Sequence, residues 1–151
     1  TGYIFTKIKK INFLKMADTI MIGMPLAQAI GRWGNFINQE AHGGPTNLPW
    51  GIMVDGVKVH PTFLYESIWD FGIFIFLWMF RKKKKYEGQV AVYYIILYSL
   101  GRFFIEGLRT DSLMIGPLRM AQVISLVGVV GGIIAHIYLL KKNNNKKEES
   151  K

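Results

Sequence analysis

The run FGIFIFLWMF at residues 71–80, halted by RKKKK at residues 81–85, decides what kind of chain this is. Extended back to Thr62, the stretch approaches the roughly 20 residues a helix needs to cross ~30 Å of hydrocarbon. A second stretch, residues 118–140, contains ISLVGVVGGIIAHIYLL and stops at Lys141 and Lys142. Residues 90–105 are shorter but rich in Tyr, Ile and Leu. Residues 17–30 carry Asp18, Pro25 and Gln28, so by themselves they suit a buried or kinked helix as well as a span.

Composition agrees with segregated charge. The 151 residues are 50% hydrophobic, yet 19 Lys and Arg against 10 Asp and Glu leave a net charge of +9. A mean hydropathy of +0.21 with that many charges requires long apolar stretches elsewhere. Chains this rich in apolar residues do not stay disordered as a whole. With no cysteine there is no thiol nucleophile and no disulfide framework, so any sulfur chemistry uses a sulfur carried by a substrate.

Positive residues set direction, because short loops rich in Lys and Arg stay cytoplasmic. Lys7, Lys9, Lys10 and Lys15 precede the first stretch, residues 81–85 separate the second from the third, and Lys141, Lys142, Lys146 and Lys147 follow the last. All three clusters lie on one side only if residues 17–30, 62–80, 90–105 and 118–140 all span. The expected fold is therefore all-α and integral to a membrane, with about four transmembrane helices and an irregular outer-face loop region. Residues 1–15 form a basic cytoplasmic segment, 16–140 the membrane domain, and 141–151 a disordered basic tail. The basic runs serve topology and headgroup anchoring, and no nucleic-acid partner is expected. Because the sequence opens on Thr1 without a secretory signal, it reads as the C-terminal part of a longer chain.

Three polar clusters interrupt this apolar background. Tyr98, Arg102, Glu106 and Arg109 follow at helical steps of four, four and three, forming one stripe. Arg102 and Glu106 can neutralise each other. Two arginines against one carboxylate also leave a spare positive charge, which suits a lipid phosphate. Both readings stand on spacing alone. The second cluster, GRWGNFINQEAHGGP at residues 31–45, has glycines that permit tight turns, while Asn35 and Asn38 offer amides able to hold a headgroup. Neither GxxxxGK[ST] nor GxGxxG occurs. In the third, HPTFLYE at residues 60–66, Pro61 suits a helix start and Glu66 its positive end; Asp70 should face the interior. His42, His60 and His136 lack metal-site spacing, so no metal is expected. Gly128 and Gly132 form a GxxxG that marks close helix packing.

Taken together, GRWGNFINQEAHG at 31–43, HPTFLYE at 60–66 and GRFFIEGLRTD at 101–111, with the later Gln122, resemble the phosphatidylglycerol–prolipoprotein diacylglyceryl transferases. The resemblance implies a seven-span enzyme of the bacterial inner membrane with its site toward the outer face. It implies transfer of the diacylglyceryl group of phosphatidylglycerol to the thiol of a lipobox cysteine in a prolipoprotein signal peptide, releasing glycerol 1-phosphate, with no cofactor. Carried onto this sequence, the important positions are Arg32, Asn35, Glu40 and Gly43 of the signature and Tyr98, Arg102 and Glu106 of the later helix. Asn38 and Arg109 join the expected substrate contacts, and Arg32, Arg102 or both would hold the phosphate. The family's three earlier spans, an N-terminal tyrosine and a His-Gly-Gly segment that is a candidate general base lie outside this sequence. The alternative is a non-catalytic lipid-binding subunit or an anion transporter lined by the Arg–Glu stripe.

Overall fold

The computed structural model describes residues 10, 12–109, 114–115 and 118–148, most of them helical. Helix α1 is Phe13–Ile37, α2 Thr62–Phe80, α3 Gln89–Glu106 and α4 Met120–Glu148. Between α1 and α2 stands a hairpin of β1, Ile52–Val54, and β2, Val57–Val59; β3, Met114–Ile115, and β4, Leu118–Arg119, form a second one before α4.

Local chemistry explains most of the boundaries. The Asn12 side chain accepts from Leu14 N at 2.9 Å, capping α1. Pro61 occupies the position before α2, and the basic run follows its end. The β1–β2 turn uses Asp55 and Gly56 with φ of 48° and 78°, the mirror-image turn whose twist suits a hairpin. Gly88, at the head of α3, has no side chain to cap it. Asp18 of α1 does so instead, accepting from Gly88 N at 2.9 Å and Ala91 N at 3.0 Å, and it also pairs with Lys84 Nζ at 3.1 Å. Its carboxylate thus ties α1 to the α2–α3 connection.

Two expected boundaries move. Helix α1 continues seven residues past Ile30, so residues 31–37 of the second cluster are helix rather than outer-face loop. Gly31 and Gly34 lower helix propensity, but their neighbours pack on α2 and hold the helix. At the other end, α4 continues beyond Leu140 to Glu148 in place of the expected disordered tail, since Lys and Glu are good helix formers.

The core is small, with Ile73, Leu77, Val90 and Tyr94 buried at its centre and Met21, Ile22 and Tyr98 packed around them. Helices α3 and α4 pack closely at the GxxxG: a Cβ on Gly132 would stand 2.5 Å from Ile96 Cγ1, and one on Gly128 would overlap Ser99. Much of the apolar surface faces outward, Val127 and Ile134 being 68% and 62% exposed. Two described helices, Thr62–Phe80 and Met120–Asn145, are long and apolar enough to cross a membrane.

Candidate active site

Three helices contribute one charged cluster. Arg32 extends from the last turns of α1, Glu66 from the second turn of α2 and Arg102 from the last turns of α3. Glu66 receives both arginines: Arg32 Nε lies 2.8 Å from its Oε2 and Arg102 Nη1 donates to its Oε1 at 2.5 Å. Arg102 also reaches down its own helix, its Nη2 standing 2.8 Å from Glu106 Oε2. Glu66 and Glu106 are 5% and 4% exposed, whereas the two arginine side chains keep about a fifth of their surface open. The guanidiniums are therefore held by buried carboxylates, while each arginine side chain keeps part of its surface exposed.

The anchoring corrects two expectations. In place of the spare positive charge expected of the stripe, Arg32 and Arg102 face Glu66 and Glu106, two guanidiniums against two carboxylates, with Arg109 beyond the helix end. Glu66 itself serves not the α2 dipole but two arginines 34 and 36 positions away. The i,i+4 pair of Arg102 and Glu106 is present, so both readings of the stripe survive in altered form: neutralised within, open outside. Arg119 adds a donor to the Glu106 carbonyl.

Tyr98 and Asp70 line the same tight pocket, whose free volume is about 10 Å³. Asp70 is 2% exposed, in the interior as expected, and its Oδ2 is buried with no hydrogen-bond partner among the described residues. Tyr98 stacks on Tyr94, ring centres 5.6 Å apart.

One helical turn further along α1 the space opens. A cavity of about 300 Å³ is lined by Asn35, Gln39, Glu40, His42 and Phe63 with the β1 strand. Asn35 and Arg32 are three residues apart on α1, as are Phe63 and Glu66 on α2, so the cavity and the charged cluster share one face of the helix pair. Glu40 Oε1 accepts from Asn38 Nδ2 at 3.2 Å, which brings one further expected residue, Asn38, to the rim. The backbone here bends sharply, with Gln39 and Ala41 at φ of 54° and 56°, in the left-handed region that costs energy for residues with a Cβ. Thr62 Oγ1 secures that bend by donating to Ala41 O at 2.6 Å.

Gly43 and Arg109 meet through their backbones. Gly43 forms a bridge with Arg109, and Gly43 N donates to His60 O at 2.9 Å. A Cβ on Gly43 would stand 2.6 Å from His60 Cβ, so the close approach requires glycine there. Arg109 lies three residues beyond the end of α3, which removes it from the helical stripe and leaves it beside the Gly43 segment. The structure thus joins Arg32, Tyr98, Arg102 and Glu106 in one cluster, Asn35, Asn38 and Glu40 at a neighbouring cavity, and Gly43 with Arg109 in the scaffold between them.

Glu66 is the residue that sequence reasoning missed as a site member. A charged side chain inside an apolar stretch needs a partner, but its two partners stand 34 and 36 positions away.

Comparison with known proteins bears on what such a site serves. Residues 1–138 match the family model described as prolipoprotein diacylglyceryl transferase. Similar relatives are the phosphatidylglycerol–prolipoprotein diacylglyceryl transferases of Clostridioides difficile, 84% identical over 98% of this chain and 60% of that protein, and of Finegoldia magna, 56% identical over 94% and 58%. A third, from Clostridium novyi, is 50% identical over 99% of this chain and 61% of its own length. The chain spans about 60% of the length of these relatives.

Proposed function

The chain belongs to the prolipoprotein diacylglyceryl transferase family, and from that membership we propose that it forms the headgroup-binding part of a membrane enzyme that moves a diacylglyceryl group from phosphatidylglycerol to a prolipoprotein. The acceptor is the thiol of a lipobox cysteine. Its sulfur attacks the glyceryl carbon that bears the phosphate, a C–S bond forms as the C–O bond breaks, and glycerol 1-phosphate departs with the electron pair. The thiol proton leaves to a general base. All four helices span the bacterial inner membrane as part of a seven-span protein, with the basic ends cytoplasmic and the Arg32–Glu66–Arg102 cluster toward the outer face.

The observation that carries this reading is the convergence of two guanidiniums from separate helices on one buried carboxylate. Arg32 and Arg102 hold their forks in fixed directions and present their open sides to the phosphate, whose charge grows as the C–O bond breaks. Asn35 and Glu40 contact the glycerol headgroup in the adjoining cavity, and Asn38 and Gly43 shape its rim. Glu106 orients Arg102, Tyr98 closes the pocket below, and Arg109 helps hold the rim. The outward-facing apolar surfaces of α2 and α4 support a lipid environment.

Asn35→Ala tests the assignment in the complete protein, reconstituted with labelled phosphatidylglycerol and a lipobox peptide. Transfer should fall ~10²-fold or more with normal insertion, on the scale of losing one preorganised donor. Near-normal transfer would remove the second cluster from the site.

A further inference from the structure

The basic run at the far end of the bundle does not act as a uniform block. Arg81 lies over the Trp78 ring, 3.5 Å from its centre, and donates to the Trp78 carbonyl. Lys84 is held by Asp18 and Glu87 at 3.1 and 2.5 Å. Lys83 and Lys85, by contrast, have no carboxylate partner among the described residues, and both line a cavity of about 240 Å³ closed by Phe80, Tyr93, His136 and Leu140. A topology signal needs exposed charge but no cavity.

The walls are fixed by polar contacts that leave the lysines out. Gln89 Oε1 accepts from Lys85 N at 2.6 Å while its Nε2 donates to Tyr93 OH at 3.2 Å, and Asn143 of α4 donates to Lys85 O at 3.1 Å. Tyr86 OH lies 2.7 Å from His136 Nδ1. Burial pushes the Tyr86 hydroxyl up to about 12, with Tyr93 and Asp18 adding to it, so at neutral pH it keeps its proton. The lining thus combines two ammonium groups and an imidazole with two aromatic rings and a leucine, and it includes no carboxylate. Those are the complements of a phosphate attached to an apolar tail.

We propose that this cavity, at the opposite end of the bundle from the Arg32–Glu66–Arg102 cluster, binds the phosphate of an anionic glycerophospholipid from the leaflet that faces the basic helix ends. Lys83 and Lys85 contact the phosphate, and Phe80 and Leu140 receive the glyceryl end of the tail. The proposal rests on the membrane reading and not on the transfer reading.

The test is calorimetric titration of the complete protein, in micelles of an uncharged detergent, with dioctanoyl phosphatidic acid or with glycerol 3-phosphate. All proteins carry Arg102→Ala, so that the transfer site contributes little. Phosphatidic acid should bind, and Lys83→Ala with Lys85→Ala should weaken it about thirtyfold, the scale on which two lysines act near anionic lipid. Both lysines are exposed, so the unfolding temperature should stay unchanged, and Lys83→Arg with Lys85→Arg should retain binding. Absence of binding in the Arg102→Ala protein, or equal binding after both lysines are removed, would overturn the site. Equally tight binding of glycerol 3-phosphate would overturn the lipid and leave a free-phosphate pocket.

Discussion

Replacing Glu66 by Gln should separate the transfer rate from substrate binding. The carboxylate makes two short contacts, at 2.8 and 2.5 Å, to arginines on α1 and α3. An amide keeps one acceptor oxygen but turns a donor toward one of the guanidiniums. Hydrogen bonds to charged groups contribute ~1.5–3 kcal/mol each, and removing one partner of a buried pair costs ~3–5 kcal/mol. Because the arginine side chains are 21% and 23% exposed, water recovers part of this, and a stability loss of ~3 kcal/mol is expected. The site meanwhile becomes one unit more positive, so attraction for the phosphate in the ground state does not weaken. What is lost is the direction of the two forks when the leaving phosphate gains charge. Transfer kinetics in proteoliposomes should therefore show kcat lowered ~10²-fold with KM for phosphatidylglycerol unchanged or lower. Chemical unfolding in detergent measures the stability change in parallel. A raised KM with kcat intact would refute the positioning role, and wild-type behaviour in both assays would reduce Glu66 to a dispensable counter-ion.

Arg102→Lys should lose transfer almost as fully as Arg102→Ala, because an ammonium cannot reach Glu66 and Glu106 and a phosphate with a planar fork; a size-matched neutral pair at positions 102 and 106 should insert and stay inactive, and full activity of that pair would shift phosphate recognition to Arg32. Gly43→Ala should destabilise the protein by ~1–3 kcal/mol through overpacking against His60, read as a lowered unfolding midpoint. Single cysteines introduced into this cysteine-free chain report orientation: in intact cells an impermeant maleimide should label Asn47→Cys and spare Lys83→Cys, and the reverse pattern would invert the topology.

The sequence shows the helices where their ends carry chemical punctuation. Pro61 and Arg81 bracket α2, and the observed Thr62–Phe80 coincides with the apolar stretch. The end of α1 lacked such a mark. Hydropathy fades at Ile30, but backbone hydrogen bonding continues wherever packing allows, and Trp33 and Phe36 find Phe63 across the helix pair. The same distinction applies to the site. Arg102 and Glu106 were legible because helical spacing places them side by side, and Asn35 and Glu40 because a specific motif marked them. Glu66 was not, since its partners are 34 and 36 positions distant and local spacing holds no record of such pairs. Arg109 was assigned to the stripe by counting in steps of three and four past Glu106, where the helix has already ended.

The carboxylate of Asp18 has a consequence for biogenesis. The amide groups that open α3 belong to a helix with no side-chain cap of its own, and the acceptor they need sits 70 positions upstream in a helix synthesised earlier. A polypeptide leaving the ribosome in order therefore delivers the acceptor before the donors, and the later hairpin arrives at a waiting partner. Reversing that order, by producing residues 62–148 before residues 12–37, would leave the first amides of α3 without that acceptor until α1 arrived. Assembly in the order α1 before α3 is written into where that one aspartate stands.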